Sequence, residues 1–208
     1  MSKVLLVNGS PHEFGCTYTA LNEIAQTLAQ NNVESEIIYL GLKPISGCIA
    51  CGKCRESGKC GIDDKVNEVL AKRDEYDAIV LGSPVYYAAP SGQICSFADR
   101  LFYAGGGMMA GKLGASVVSC RRGGASAAFD RLNKYFGIVN MHTVGSQYWN
   151  QVPGFTPDDV RKDKEGLQTM RTLAQNMAWL LACIEAGKKA GVAFPVYEPK
   201  VGTHFIMD

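Results

Sequence analysis

Short, wholly apolar runs alternate along this chain with longer stretches in which apolar positions recur every three or four residues. Val4 to Val7 is the first run, and Asn8-Gly9-Ser10-Pro11 closes it. A run of that length ended by turn formers predicts a buried strand. Leu21, Ile24, Ala25, Leu28 and Ala29 then mark one face of a helix starting near Thr17. Glu36 to Leu40 predicts a second strand, and Asp63-Asp64 suit a helix N-terminus ahead of Val66, Val69 and Leu70. Ala78 to Leu81 predicts a third strand, followed by the turn Gly82-Ser83-Pro84 and a helix carrying Ile94, Phe97, Ala98, Leu101 and Phe102, with Pro90 at its first position. Gly105-Gly106-Gly107 break the chain before a fourth strand, Ala115 to Ser119. Gly123-Gly124 precede a helix with Ala128, Phe129, Leu132 and Phe136, and Ile138 to Val144 predicts a fifth strand. Thr156 to Asp159 has the form of a capping box with Pro157 in the first turn, and it opens the longest helix, through Leu167, Met170, Leu173, Met177, Leu181 and Ile184.

Strands alternating with helices, without hairpin signals, predict an α/β fold: a doubly wound five-stranded parallel sheet with helices on both faces. One domain is expected over residues 1–190. Gly145 to Phe155 falls outside the alternation. The tail, residues 191–208, carries Val192, Phe194, Val196, Tyr197, Phe205 and Ile206, which predicts that it packs on its own surface or on a neighbouring subunit.

Composition narrows the partners. At 208 residues, 47% hydrophobic and 20% charged with a net charge of +1, the chain is globular and has no basic field for nucleic acid. Four apolar residues before Asn8 are too few for a signal peptide or a spanning helix, so a cytoplasmic, non-membrane protein is expected. A reducing compartment disfavours structural disulfides. Of the eight cysteines, Cys16, Cys95, Cys120 and Cys183 are scattered, whereas Cys48, Cys51, Cys54 and Cys60 crowd into one loop after the second strand. That density favours a metal or redox role over a disulfide framework.

In a doubly wound sheet ligands bind beyond the carboxyl ends of the strands. The loop after the first strand, GSPHEFGCT, offers the Ser10 and Thr17 hydroxyls, Gly15 and a helix N-terminus, a combination suited to a phosphate. It lacks the Gly-Lys-Ser/Thr of a triphosphate loop and the Gly-x-Gly-x-x-Gly of a dinucleotide site. A plain turn before a helix would read the same way. The loop after the third strand, GSPVYYAAPSGQ, sets Tyr86 and Tyr87 among prolines and small residues, a flat wall for an aromatic ring system. The loop after the fourth, SCRRGGAS, brings Arg121 and Arg122 to an anionic ring or to phosphates, or else forms a solvated basic turn.

GSPHEFGCT together with GSPVYYAAPSGQICSFADR resembles the NAD(P)H-dependent FMN reductase family of flavodoxin-like proteins, over about the first 145 residues. The resemblance implies FMN, with its phosphate on Ser10, Gly15, Cys16 and Thr17 and its isoalloxazine along Pro84, Val85, Tyr86 and Tyr87, near Arg121, Arg122, Gly123 and Gly124. His12 and Cys16 stand where the family commonly has arginine and asparagine. An FMN-dependent oxidoreductase is implied, moving electrons between NAD(P)H or a reduced redox protein and a small acceptor such as a flavin or quinone, as a homodimer or homotetramer.

The cysteine spacing, Cys-x2-Cys-x2-Cys-x5-Cys, is similar to that of the iron-sulfur flavoproteins of the same superfamily. The likeness implies a [4Fe-4S] cluster on Cys48, Cys51, Cys54 and Cys60, with Gly47, Gly52 and Gly58 supplying tight turns and Lys53, Arg55 and Lys59 offsetting charge. Four thiolates would also hold zinc, as in a zinc-stabilised binding module, and thiols kept reduced would leave the same spacing. A non-catalytic FMN and iron-sulfur electron carrier is the other alternative. No catalytic side chain is assigned, because the cofactor carries the chemistry. His142 and His204 are read as structural, and Asp99 and Arg100 as an ion pair or a subunit contact.

Overall fold

The computed structural model describes residues 1–199 and 201–203. Five parallel strands form the body of its sheet: β1 (Lys3–Asn8), β2 (Glu34–Tyr39), β3 (Ala78–Tyr86), β5 (Leu113–Cys120) and β6 (His142–Thr143), in the order β2-β1-β3-β5-β6. Two further pieces extend it: β4 (Ala89–Pro90), antiparallel to β3, and β7 (Gln151–Pro153), parallel to β5. The sheet therefore has seven strands rather than five.

Helices cover both faces because successive strand residues point to opposite sides. Leu5, Val7, Ile79, Leu81 and Val118 meet α3 (Lys65–Ala71), α4 (Gly92–Gly105) and α5 (Ala125–Ile138) in one core. Val4, Leu6, Ala78, Val80, Ala115 and Val117 meet α1 (Cys16–Gln30) and α7 (Lys164–Lys189) in the other. Between them, α2 (Cys54–Ser57) lies in the cysteine loop and α6 (Pro157–Lys162) precedes α7. The Thr156 capping box forms, with the Thr156 side chain accepting from Asp159 N–H and the Asp159 carboxylate accepting from Thr156 N–H, but it opens the six-residue α6 rather than the longest helix: Asp163 ends α6 and its side chain caps α7 by accepting from Gly166 N–H.

Three further expectations shift. Ile138 and Val139 end α5 rather than begin a strand. Asn140 takes φ +58°, Asn140 N–H donates to Gly137 C=O and Met141 N–H to Phe136 C=O, so a left-handed cap stops the helix. The edge strand is consequently split: β6 pairs with the start of β5 at Leu113 and Gly114, and β7, inside the stretch set aside as irregular, pairs with its end at Val118 to Cys120. Pro90 is not the first helical residue. It pairs with Val85 in a β3–β4 hairpin, and Ser91 caps α4 by accepting from Ile94 N–H. That hairpin escaped the sequence because its tip, Tyr87-Ala88, has φ of +51° and +61° without a glycine or asparagine.

The tail folds back at its start. Val192 N–H closes the end of α7 on Gly187 C=O. Phe194 lies so close to Gly111 that a Cβ there would stand 2.2 Å from its ring. Val196 and Val201 are exposed, and His204, Phe205 and Ile206 fall outside the described residues. No helix among the described residues is long and apolar enough to cross a membrane.

Candidate functional site

The carboxyl ends of β1, β3 and β5 open on a hollow of about 540 Å³, at the point where the strand order reverses. Its floor is built by buried polar groups of the β1 loop. Asn8, fully buried, accepts from Ser10 N–H (3.1 Å) and donates to Glu13 C=O (2.9 Å), while Ser10 Oγ accepts from His12 N–H (3.0 Å). The loop is thus fixed from within. Gly15, the residue before α1, offers no side-chain cap, so the first-turn N–H groups of α1 point into the hollow's end unclaimed by any side chain. Beside them the buried Thr17 hydroxyl meets Ser119 Oγ at 2.9 Å. Uncapped N–H groups, a helix dipole and the Ser10 and Thr17 hydroxyls are the donor set of a phosphate site.

The hollow gathers most of the expected cofactor residues: Ser10, His12, Gly15, Cys16, Thr17, Pro84, Val85, Tyr86 and Arg121 line it. Tyr87, Arg122, Gly123 and Gly124 do not. Tyr87 stands wholly exposed at the hairpin tip, because the turn throws its side chain off the sheet. Gly124, at φ +88°, lies where a Cβ would meet Ala88 Cα at 2.7 Å and Val85 Cγ1 at 3.2 Å. It braces the hairpin from behind.

The structure adds Phe14, Ser119, Cys120, Gly154, Phe155, Thr156 and Pro157 to the lining. The Arg121 guanidinium lies 5.3 Å from the Phe155 ring centroid. Phe155 N–H donates to the Asp159 carboxylate that also holds Thr156, so the capping box seen in the sequence also sets the rim of the hollow. Burial pushes up the Cys16 and Cys120 thiols.

A second, apolar-lined hollow lies beside α4, and all four loop cysteines, Cys48, Cys51, Cys54 and Cys60, border it, with Ile49, Ala50, Ile62, Arg100, Tyr103 and Ala104. All are free thiols. Gly52 (φ +74°) and Gly58 (φ +63°) make the turns expected of them; Gly47 does not, and Ala50 (φ +52°) takes that conformation instead. Gly61 lets Cys51 Sγ approach, since a Cβ there would stand 3.2 Å from it. Among the described residues no three His, Cys, Asp or Glu side chains stand close enough together to hold a metal ion. The thiols share a hollow without the ligating geometry.

The loop hangs on α4. Gln93 donates to Gly41 C=O (3.1 Å) and Lys43 C=O (2.7 Å) and accepts from Ile45 N–H (3.1 Å). About two turns further on, Arg100 clasps the other end of the loop. Its guanidinium grips the Asp64 carboxylate with both ends (2.6 and 2.9 Å), reaches Ser46 and Ile62 carbonyls (3.2 and 2.8 Å), and donates from Nε to Cys60 Sγ (3.1 Å). Arg100 therefore pairs with Asp64, not with its neighbour Asp99, which accepts from Tyr135 and Arg131. The same helix starts at the first hollow: Ser91 N–H donates to Ser83 Oγ (2.9 Å) and Ser91 Oγ to Gly9 C=O (2.7 Å). One helix thus ties the β1 and β3 loops, next to the first hollow, to the cysteine loop.

Known proteins resemble this chain in sequence and fold. The family described as NADPH-dependent FMN reductase matches residues 2–153. An iron-sulfur flavoprotein of Methanocaldococcus jannaschii is 34% identical over 191 residues, covering 88% of this chain and 99% of that protein. One of Archaeoglobus fulgidus is 30% identical over 163 residues, covering 76% of this chain and 73% of the relative. Among solved structures, the WrbA-like flavodoxin of Agrobacterium tumefaciens superposes with a TM-score of 0.61 at 17% identity, over 88% of this chain and 99% of that one.

Proposed function

As this chain belongs to the NADPH-dependent FMN reductase family, in its iron-sulfur flavoprotein-like branch, we propose that it is an FMN-dependent oxidoreductase that moves electrons between NAD(P)H or a reduced redox protein and a small acceptor such as a flavin, quinone or other electrophile. The observation that carries this reading is the hollow at the strand-order reversal, which joins an uncapped helix N-terminus and two buried hydroxyls to a wall of Pro84, Val85 and Tyr86. These groups fit FMN. The α1 N–H groups with Ser10 and Thr17 would take the phosphate, and the Pro84–Tyr86 backbone would face the ring. Bound FMN supplies one- and two-electron transfer. The chain contributes position: Asn8 fixes the phosphate loop, Gly124 braces the hairpin, and Arg121 brings positive charge to the rim.

The four free thiols around one hollow fit a [4Fe-4S] cluster as a donor set, and Cys48, Cys51, Cys54 and Cys60 would hold it. A cluster there would supply one-electron steps. Its position beside α4, whose first residues contact the flavin wall, supports exchange between the two sites. The exposed Phe14, Tyr87 and Phe155 around the first hollow support a homodimer or homotetramer, and eight free cysteines suit a reducing compartment such as the cytoplasm.

Anaerobic purification with an absorption spectrum and iron, sulfide, zinc and FMN analysis tests the proposal. Stoichiometric FMN with equal iron and sulfide is expected. Flavin without iron or sulfide would remove the cluster and keep the flavoprotein, and a colourless protein holding stoichiometric zinc would overturn both. Steady NAD(P)H oxidation with a quinone is the expected activity; FMN reduction by ferredoxin alone would instead make the protein an electron carrier.

A further inference from the structure

Among the described residues Arg100 is the one charged side chain that is fully buried. A guanidinium has five N–H donors, and here five hydrogen bonds leave it: one to sulfur, two to backbone carbonyls and two to a carboxylate. The arrangement has a direction. The forked end faces Asp64, which also caps α3 by accepting from Val66 N–H, and the Nε edge is left for Cys60. The result is a fixed cation held against one of the four loop sulfurs.

We propose that Arg100 is a positioning and potential-setting residue for the four-thiolate site. It holds Cys60 and both shoulders of the loop, Ser46 and Ile62, in register, and its N–H donation to Cys60 sulfur favours the more negative, reduced state of whatever the thiolates bind. Hydrogen bonds to ligating sulfur and nearby charge are among the levers that set iron-sulfur potentials. Lysine could keep the charge beside Asp64 but not the fork that reaches sulfur, carboxylate and carbonyls together. The potential-setting half rests on the reading that this loop carries a [4Fe-4S] cluster; the positioning half does not.

The experiment compares wild type, Arg100→Met and Arg100→Lys, purified anaerobically and reconstituted with ferrous iron and sulfide. Iron, sulfide and FMN are counted, the cluster's midpoint potential is measured by dye-mediated titration, and backbone hydrogen exchange of residues 46–64 is followed in the iron-free protein. The expected result is FMN content unchanged throughout, and a midpoint in Arg100→Met lowered by tenfold in the one-electron equilibrium, about 59 mV. Arg100→Lys should fall between, and exchange of residues 46–64 should quicken at least tenfold in Arg100→Met. Wild-type potential in both variants overturns the electronic role; wild-type exchange overturns the positioning role. A wild type that takes up no iron or sulfide defeats the cluster reading itself, and exchange still decides the positioning half. If Arg100→Met does not fold, Arg100→Lys decides: wild-type potential and exchange there overturn the proposal.

Discussion

Gly124→Ala tests whether the loop after β5 holds the flavin wall by pressing on it. Two costs follow from the structure. Gly124 has φ +88°, where an alanine is disfavoured by about 1–2 kcal/mol. The new Cβ would stand 2.7 Å from Ala88 Cα and 3.0 Å from Ala88 Cβ, and because the first is backbone the hairpin itself must move. Forcing a methyl into packed surroundings costs about 1–3 kcal/mol, so the sum is about 2–5 kcal/mol. The neighbouring glycine gives an internal control, because a Cβ on Gly123 meets nothing within 4 Å, and Gly123→Ala should stay within about 0.5 kcal/mol of wild type. In urea unfolding of the flavin-free protein the Gly124→Ala midpoint should fall by on the order of 1–2 M, for slopes of about 2–3 kcal/mol/M. Val85 belongs both to the collision and to the hollow, so the FMN dissociation constant read by flavin fluorescence should rise about tenfold or more, an increment of about 1.4 kcal/mol. Equal stability and equal FMN affinity for the two variants would refute the bracing role.

Thr17→Val leaves the buried Ser119 hydroxyl without its partner and should cost about 1–3 kcal/mol; the Thr17→Val/Ser119→Ala double variant should cost less than the two singles added, as a double-mutant cycle in urea would show. Phe97 is wholly buried among β-strand and helix side chains, so Phe97→Ala should lower stability by about 3–5 kcal/mol with the unfolding slope unchanged. Hydrogen bonds from Thr156 N–H, Thr156 Oγ1 and Phe155 N–H hold the Asp159 carboxyl below its ordinary 3.8. A folded value below the unfolded one stabilises the rim above about pH 4 and is lost as the pH falls through the folded value. An NMR titration of Asp159 should show that low midpoint, and Thr156→Ala should raise it.

The strands that bind both cores were legible because they are buried on both faces and so read as unbroken apolar runs. What defeated the reading was local backbone geometry. Ile138-Val139 is as apolar as a strand, but Asn140 can adopt the left-handed conformation that caps α5, and apolarity alone does not separate the two outcomes. Gln151-Val152-Pro153 shows one buried residue between a partly buried and an exposed one, too little pattern to announce a strand. At the site, Ser10, Gly15 and Thr17 were readable because loop chemistry is local. Asn8 and Phe155 were not chosen, although an asparagine closing an apolar run and the residue before a capping box were available signals. Arg100 was beyond reach in kind: its partners Ser46, Cys60, Ile62 and Asp64 lie 36 to 54 positions away, and only the folded loop brings them together.

The split edge of the sheet has a consequence for how copies of this protein can meet. A long bare edge strand offers a ladder of backbone groups to any passing chain. Here that border is two fragments, His142–Thr143 and Gln151–Pro153, with residues 144–150 looping between them. No fragment is long enough to seed an added strand from a neighbour. Association on this side would have to be negotiated by side chains such as Tyr148 and Trp149, which stand about half exposed on that loop, so it would be selective for shape rather than open to any extended peptide.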